Sequence, residues 1–185
     1  MGACLVSPLR QFGNPIADAV APTQYAEAQS RSDPLYPRGS RYYWKSHNLS
    51  GLSDGIIDKL VGFAEEMPTE QCDILIQQLG GKINAVQADA TAYPHRQTEF
   101  VVTLGGHCET SKEDDKCISW AKKSHTGIGR YGGAGVYVNF LSHDESEDRL
   151  LAAYGQNAER LRRIKAKYDP DNFFHVNKNI VPAGD

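Results

Sequence analysis

Hydrophobic and polar residues alternate with a period of two in several stretches of the chain. Such alternation places successive side chains on opposite faces of a half-buried β-strand. The alternating stretches are residues 72–78, 98–104 and 135–140. Gly80-Gly81 predicts a turn after the first of them, and residues 82–88 are then its antiparallel partner. The sequence therefore predicts an antiparallel sheet of about four strands.

The first fifty residues are rich in proline, glycine and aromatic residues and carry little periodicity. Residues 3–6 are predicted as a short strand and residues 22–31 as a short helix. The stretch from Asp33 to Ser46 contains Pro34, Pro37 and Gly39, which predict turns that lead into a strand.

Apolar residues at helical spacing mark three later segments. Ser53 is placed to cap the first, whose apolar residues are Ile56, Ile57, Leu60, Phe63 and Ala64. Residues 112–122 carry the second helical pattern. Ser146 precedes the third, which has acidic residues in its first turn and basic residues in its last, as the helix dipole favours. The predicted buried stripe of this long helix is Leu150, Tyr154, Ala158, Leu161 and Ile164.

Helices precede and follow the strand cluster, which indicates the α+β class. The 185 residues suit one domain, residues 1–185, with a core of its own. A sheet of about four strands has open edges that something must cover. We expect a homodimer if the chain stands alone, because pairing is a simple way to cover such edges.

Composition excludes two classes of partner. The net charge of −3 lacks the basic excess of a nucleic-acid-binding surface. The sequence contains no run of about 20 apolar residues and no signal-peptide pattern, so we predict a cytoplasmic protein with no membrane partner. The four cysteines have no zinc-site spacing and are predicted to be reduced, structural thiols. The sequence therefore predicts no metal site.

Three residues are candidates for catalysis or ligand contact. Tyr137 and Asn139 would share one face of the strand predicted at residues 135–140, either lining a ligand cleft or lying on a half-exposed strand. His95, next to Arg96, either orients an anionic or carbonyl group or makes structural hydrogen bonds in a turn. Gly127-x-Gly129-x-x-Gly132 matches a dinucleotide motif in letters only, because a helix rather than a strand precedes it.

In their order along the chain, several segments resemble the berberine-bridge-type branch of the vanillyl-alcohol-oxidase-like, FAD-linked oxidases. The resemblance covers nearly the whole chain. The matching segments are Tyr42-Tyr-Trp-Lys-Ser46, Asp89-Ala-Thr-Ala-Tyr-Pro-His-Arg96, Gly135-Val-Tyr-Val-Asn-Phe140, Tyr168-Asp-Pro-Asp-Asn-Phe-Phe174 and Asn177-Lys-Asn-Ile180. The resemblance implies a partial substrate domain in residues 1–145 and a berberine-bridge-type helix and tail in residues 146–185.

The resemblance also implies chemistry. Family members couple the reduction of FAD by an alcohol, sugar or amine to its reoxidation by oxygen. Tyr137 and Asn139 would face the flavin ring, while Asn177 and Asn179 would lie near the cofactor edge. Several members have a tyrosine base at the position of Phe140, and a phenyl ring cannot accept a proton.

Three hypotheses about function stay open on the sequence. The chain is the substrate-side portion or a subunit of an FAD-dependent oxidoreductase, working with a separately encoded FAD-binding subunit. Alternatively, it is a flavin-free homologue that binds a small molecule and catalyses a cyclisation or isomerisation, or it is a non-catalytic dimeric binding protein. The sequence shows no pyrophosphate-binding glycine loop, so we do not expect this chain alone to bind FAD.

Overall fold

The computed structural model describes residues 2–14, 16–133 and 135–184, with residues 2–5 described by their backbone only. The chain divides into two compact units, Met1–Gly39 and Ser40–Asp185. The first unit contains helix α1 (Gly2–Phe12), helix α2 (Tyr25–Ser30) and a 3-10 turn at Asp33–Leu35. Helix α2 lies inside the predicted range, whereas the strand predicted at residues 3–6 is wrong because these residues are helical.

The second unit is built on a three-stranded antiparallel sheet. Its strands are β1 (Arg41–Leu49), β2 (Asp73–Gln78) and β3 (Phe100–Cys108), in the order β1-β3-β2. Ser46 lies opposite Thr103, and Ile74 lies opposite Leu104. The α+β class is confirmed, with one strand fewer than the four predicted.

Two predicted strands are absent from this sheet. Residues 82–88 form turns in which Ala85 N donates to Gly81 O, and β3 is the antiparallel partner of β2 in their place. Residues 135–140 also form no strand. Gly135 has a φ of +102°, and residues 138–140 make a 3-10 turn that Phe140 N closes by donating to Tyr137 O.

Two helices cover one side of the sheet and form the core with it. They are α3 (Asp54–Glu65) and α4 (Asp114–Ile128). Leu60 and Phe63 of α3 pack with Leu49 and Leu104 in one buried cluster, and Trp120 of α4 packs with Tyr43 and Cys108 in another. Gly106 allows α4 to approach β3, since a Cβ there would lie 2.6 Å from Cys117 O. Ile57 lies outside this core, with 44% of its surface exposed.

The opposite side of the sheet, called here the polar side, is mainly polar, although Leu75 and Val101 also lie on it. The alternation of side chains and the strand register place the following residues on this polar side: Tyr42, Trp44, Ser46 and Asn48 of β1, Thr103 and His107 of β3, and Asp73 of β2. The outer edge of β1 is partly covered by the chain itself. Gly133 N donates to Asn48 O, and Arg149 Nη2 donates to Ser46 O.

The long C-terminal helix predicted from the sequence is two helices, α5 (Glu147–Tyr154) and α6 (Ala158–Tyr168). Ser146 caps α5 as predicted, because its Oγ accepts a hydrogen bond from Arg149 N. The break lies at Gly155, whose φ is +46° and which packs against Pro94. The predicted apolar stripe is only half-buried, and Ile164 is 43% exposed.

The tail after α6 is organised by one carboxylate. Asp169 accepts hydrogen bonds from Phe173 N and Phe174 N at 2.7 and 3.0 Å, and it also pairs with Lys165. The two phenyl rings that follow are about three-quarters exposed. None of the helices in the described ranges is long and apolar enough to cross a membrane.

Candidate functional site

His95 is fixed by the end of helix α5. Its Nε2 donates to Ala152 O at 3.0 Å and to Ala153 O at 3.1 Å, so it satisfies carbonyl groups that a helix terminus leaves unpaired. Burial lowers the pKa of His95, while these two carbonyls oppose the shift. Its ring also contacts the backbone closely, because a Cβ at Gly135 would lie 1.9 Å from Cε1. The structure thus gives His95 the structural contacts that were one of its two predicted roles.

The structure brings two of the three predicted catalytic residues, His95 and Tyr137, into one aromatic cluster, which consists of Tyr93, His95, Tyr137 and Phe140. The Tyr93 ring meets His95 edge-on at 5.4 Å and Tyr137 edge-on at 5.8 Å, and Tyr137 meets Phe140 at 5.2 Å. Asn139 Nδ2 donates to Tyr137 Oη at 2.7 Å. This bond fixes the phenol oxygen and leaves its own proton free to donate.

The polar side of the sheet carries buried groups that lack hydrogen bonds. Trp44 Nε1, Ser46 Oγ and Thr103 Oγ1 have no partner within the part of the chain that the structure describes. Ser46 and Thr103 are directly opposite each other on neighbouring strands. A buried unpaired polar group costs about 1–3 kcal/mol, and such groups are rare in native proteins. Their clustering on one surface indicates that another group completes it.

These residues do not stand out as functional in the sequence. A signal was present, since residues 42–48 place polar side chains on both faces of a strand, including asparagine, which strands disfavour. The structure also adds an imidazole and a carboxylate on this side. His107 Nε2 lies 4.0 Å from Asp73 Oδ2, and the Tyr42 ring meets His107 edge-on at 4.8 Å. Burial lowers the pKa of His107, and Asp73 opposes that shift.

A network of charged residues fixes the loop before α5 to the helix-covered side of β1. Asp144 accepts from Lys45 Nζ at 3.0 Å, Tyr43 Oη at 3.0 Å and Ser142 Oγ at 2.7 Å, and Lys122 Nζ lies 2.9 Å away. Burial tends to raise the pKa of Asp144, but the donors of Lys122, Ser142, Lys45 and Tyr43 bring it well below its usual range. This network positions the segment that carries Tyr137 and Asn139.

The two asparagines predicted near a cofactor differ in environment. Asn177 is exposed, with a φ of +65°. Asn179 Oδ1 is buried and has no partner among the described residues. Asn179 lines a small cleft of about 100 Å³ with Leu150, Tyr154 and Arg162, between α5, α6 and the tail.

The unpaired polar groups suit contact with the ring of a flavin, whereas the glycine motif at residues 127–132 does not suit contact with its phosphates. A flavin ring is flat with a polar edge of donors and acceptors. Trp44 Nε1, Ser46 Oγ and Thr103 Oγ1 on the polar side of the sheet, and Asn179 Oδ1 in its own cleft, are buried polar atoms of the kind that can pair with such groups. Gly127-x-Gly129-x-x-Gly132 is no phosphate loop, because Gly127 lies inside α4 and the motif ends that helix instead of starting one. That prediction is confirmed.

Comparison with known families and proteins gives a consistent result. The family model for berberine and berberine-like proteins matches residues 136–181. An FAD-linked oxidoreductase of Dictyostelium discoideum is 25% identical over 98% of this chain and 40% of its own length. The uncharacterized FAD-linked oxidoreductase YgaK of Bacillus subtilis is 28% identical over 96% of this chain, which again spans 40% of that relative. The chain thus spans about 40% of the length of these relatives.

Solved structures share the fold. The berberine bridge enzyme of Eschscholzia californica superposes with a TM-score of 0.71 over 79% of this chain and 34% of its own, at 20% identity. A glycopeptide hexose oxidase complexed with teicoplanin superposes with a TM-score of 0.70 over 78% of this chain and 33% of its own, at 24% identity. Part of the fold of these oxidases is therefore present here.

Proposed function

We propose that this chain, a berberine-bridge-like relative of the FAD-linked oxidoreductases, forms the substrate-side wall of an FAD-dependent oxidation centre for a small organic molecule. The relatives that match along nearly the whole chain are FAD-linked oxidoreductases. Their remaining length has no counterpart among these 185 residues. The substrate and the position of the flavin relative to this chain are parts of the proposal.

The observation that carries the proposal is the set of unpaired groups at Trp44, Ser46 and Thr103 on the polar side of the sheet. A sequence selected for stability alone would replace them with apolar residues of similar size, because burying them without partners costs free energy. Binding sites keep such groups because the bound molecule supplies the missing hydrogen bonds. We assign these three side chains to the substrate and to the polar edge of the flavin ring.

Tyr137 and Asn139 are the residues to which we assign substrate positioning. The amide of Asn139 holds the phenol oxygen of Tyr137, so the phenol proton can donate to a hydroxyl or carbonyl oxygen of the substrate. Bound FAD would accept electrons from the substrate and pass them to oxygen. The flanking Phe140 offers an apolar ring and no base. A group outside Tyr137 and Phe140 must therefore take the substrate proton.

FAD requires more protein than this chain supplies. Asn179 can contribute one acceptor at the cofactor edge through its buried Oδ1. The adenine and phosphates would be bound by residues outside these 185. We propose that a flavin-carrying polypeptide is the partner that supplies them, and we expect the chain by itself to purify without colour. A homodimer without flavin is the competing arrangement.

The test is affinity purification of the tagged chain from its own cells, followed by visible absorbance and identification of co-purified polypeptides. The proposal expects flavin absorbance only in the fraction where a flavin-carrying protein accompanies the chain. In that fraction, Tyr137→Phe should slow flavin reduction by substrates at least tenfold while leaving flavin retention unchanged. Ser111→Ala, on the exposed surface, is the control.

The polar side is tested by the double variant Ser46→Ala/Thr103→Val. Because both hydroxyls are unpaired, we expect the unfolding free energy of the chain to stay within about 0.5 kcal/mol of wild type or to increase. Flavin retention, or the rate at which the substrate reduces the flavin, should fall at least tenfold in the assembled fraction. A colourless wild-type chain in every fraction, with no flavin-carrying partner, would contradict the FAD function and favour the flavin-free one.

A further inference from the structure

Strand β2 has a free edge. It stands last in the strand order β1-β3-β2, and in the described part of the chain it pairs with β3. The other edge of the sheet, at β1, is partly covered by the hydrogen bonds from Gly133 and Arg149. Among the described residues, no backbone group outside the sheet bonds to the backbone of residues 74–78. The amide and carbonyl groups on the outer edge of β2 can therefore pair with another strand.

The side chains of β2 are exposed on both faces of the sheet. Leu75, on the polar side, is 45% exposed, and Ile76, on the helix-covered side, is 44% exposed. Gln77 and Gln78 are exposed as well, whereas Ile74 is half-buried against the core. Adjacent apolar side chains on opposite faces do not form one patch, and a neighbouring strand is the element that packs beside both of them. The exposure of Leu75 and Ile76 thus points to a strand at this edge.

The sequence of β2 does not protect its free edge. Natural edge strands are commonly protected by lysine, by proline, by a β-bulge or by very short length. Residues 73–78 contain no lysine, arginine or proline, and they pair with β3 in an unbroken register. The one charged residue of the strand is Asp73, at its start. Nothing in these six residues therefore opposes the addition of a strand.

The strand is complementary to itself in one antiparallel register. A twofold axis perpendicular to the sheet brings the same edge of two copies together and keeps both polar sides on one side, so residues opposite each other share a face. With Leu75 opposite Leu75 of the second copy, Ile74 lies opposite Ile76, and Asp73 lies opposite Gln77. Apolar side chains then meet apolar side chains, and the amide of Gln77 donates to the carboxylate of Asp73.

The two neighbouring registers that this symmetry allows are poorer. With Ile76 at the axis, Leu75 and Ile74 lie opposite the amides of Gln77 and Gln78. With Ile74 at the axis, the carboxylate of Asp73 lies opposite Leu75. Both arrangements place polar groups against apolar side chains, which weakens the cross-strand pairs. Leu75 at the axis is therefore the favoured register.

We propose that a second copy of this chain pairs antiparallel with the free edge of β2, with Leu75 at the twofold axis. The product is a six-stranded sheet in the order β1-β3-β2-β2-β3-β1, in which the polar sides of both copies form one continuous surface. The edge has only six residues, so the dimer is reversible and forms at high protein concentration. The pairing neither requires nor excludes a flavin-carrying partner, so its test is independent of the proposed redox function.

Sedimentation equilibrium of the purified chain over a wide concentration range measures the pairing. We expect reversible association to twice the mass of one chain. Leu75→Lys should weaken dimerisation at least tenfold, because it places two ammonium groups opposite each other. Ile57→Lys is the matched control, since Ile57 is 44% exposed on α3, and it should dimerise like wild type. A chain that stays monomeric at every concentration, or equal weakening by both substitutions, would overturn the proposal.

Substitutions of Gln77 test the register. Gln77→Lys places an ammonium group opposite Asp73 of the second copy and should strengthen dimerisation, whereas Gln77→Glu places a second carboxylate there and should weaken it. Gln77 is exposed, so both variants should keep the unfolding temperature of the dilute wild-type chain. Equal effects of the two substitutions on dimerisation would refute the pairing of Asp73 with Gln77.

A crosslink locates the axis. In the Cys4→Ser background the other three cysteines are buried, and Leu75→Cys adds one exposed thiol. Residues directly opposite each other on antiparallel strands have Cβ atoms about 4.5–5.5 Å apart, so mild oxidation should join two copies at this position. Ile57→Cys in the same background should stay monomeric. If Leu75→Cys does not crosslink at concentrations where the wild type dimerises, the dimer uses another surface and the proposal is wrong.

Discussion

Lys45 Nζ lies 2.7 Å from Glu145 Oε1, and each side chain is only 9% exposed. The pair joins strand β1 to the loop before α5 across 100 positions of sequence. Burial disfavours the charged form of both groups, but their mutual contact overcomes this effect, so the pKa of Lys45 is raised and that of Glu145 is lowered. Both residues are thus charged at neutral pH, and the ion pair fixes the loop on the sheet.

Removing one member of this pair should destabilise the fold strongly. In Lys45→Met, Glu145 keeps a buried charge whose main partner is lost, and Asp144 loses one of its donors. We expect the free energy of unfolding to fall by about 2–4 kcal/mol, measured by urea denaturation. The double variant Lys45→Met/Glu145→Leu should regain part of this loss because it leaves no unpaired carboxylate at position 145.

The matched control is the ion pair of Lys123 and Glu66, whose side chains are 62% and 51% exposed. Exposed pairs contribute little, so Lys123→Met should change the unfolding free energy by less than about 1 kcal/mol. Equal effects of Lys45→Met and Lys123→Met would mean that the Lys45 pair is solvated in solution.

Stability should fall as the pH drops from about 6.5 toward 4. His125 stacks on His47 with ring centroids 3.9 Å apart. Burial first, and then the positive charges of His47, Arg149 and Lys45, lower the pKa of His125 from 6.5 to about 4, against the opposing effect of Glu145. The unfolded chain therefore takes up this proton at higher pH than the folded chain, and the stabilisation present above pH 6.5 is lost toward pH 4.

We expect the protonation of His125 to lower the free energy of unfolding by about 2 kcal/mol over this pH range, after allowance for the partial exposure of the side chain. Denaturation in urea at about pH 7.5 and about pH 5 measures it. His125→Gln should reduce the difference between the two pH values, while the remaining buried histidines retain their own smaller contributions. An identical pH dependence in wild type and His125→Gln would contradict the pKa assignment.

The sequence predicted local structure well where local chemistry decides it. The helix starts after Ser53 and Ser146, the helix before Gly129 and the strands around Ile74 and Val102 all occur as expected, although the Ser53 side chain makes no capping hydrogen bond. The predictions were wrong for segments whose structure depends on contacts with residues distant in sequence. Residues 135–140 alternate like a strand, yet Gly135 lies against His95, which is 40 positions away, and no local pattern reveals that contact.

The same distinction applies to the candidate site. His95 and Tyr137 could be selected by their chemistry, but Tyr93, the ring that joins them, could be found only from the three-dimensional packing. Thr103 likewise looks like an ordinary strand residue in the sequence. Only the three-dimensional structure shows that its buried hydroxyl has no partner among the described residues.

Gly135 should not tolerate a side chain. Its φ of +102° disfavours any L-residue, and an added Cβ would lie 1.9 Å from His95 Cε1. We expect Gly135→Ala to lower the unfolding free energy by at least about 3 kcal/mol, the sum of backbone strain and a steric clash. In contrast, Gly62→Ala should raise stability by about 0.5–1 kcal/mol, because Gly62 lies inside helix α3 with open space around it.

The variant His95→Ala distinguishes the steric clash from the backbone strain. In the double variant His95→Ala/Gly135→Ala the clash is absent, so we expect the part of the stability loss caused by the clash to be recovered and the part caused by backbone strain to remain. If Gly135→Ala has the same unfolding free energy as wild type, Gly135 does not pack closely against His95 in solution.

The thiols of Cys72, Cys108 and Cys117 should be inert in the folded chain. All three are buried, and burial first, then the neighbouring thiols, raise the pKa of Cys117 to about 12. Only thiolates react readily, so a folded-state thiol with this pKa is almost entirely unreactive at neutral pH. Cys72 Sγ and Cys117 Sγ are 4.0 Å apart, about twice the length of a disulfide bond, so oxidation requires the core to move.

The measurement uses the Cys4→Ser variant, which leaves these three cysteines, and a thiol-specific chromogenic reagent. We expect no rapid reaction under native conditions and three reactive thiols in denaturant. Adding Ser111→Cys introduces an exposed thiol on the same chain, which should react at once and show that the reagent is active. Rapid native reaction of any of the three would mean that the core between α4 and β3 opens far more readily than its packing indicates. Reaction at the rate of global unfolding would instead identify these thiols as part of the most stable region of the fold.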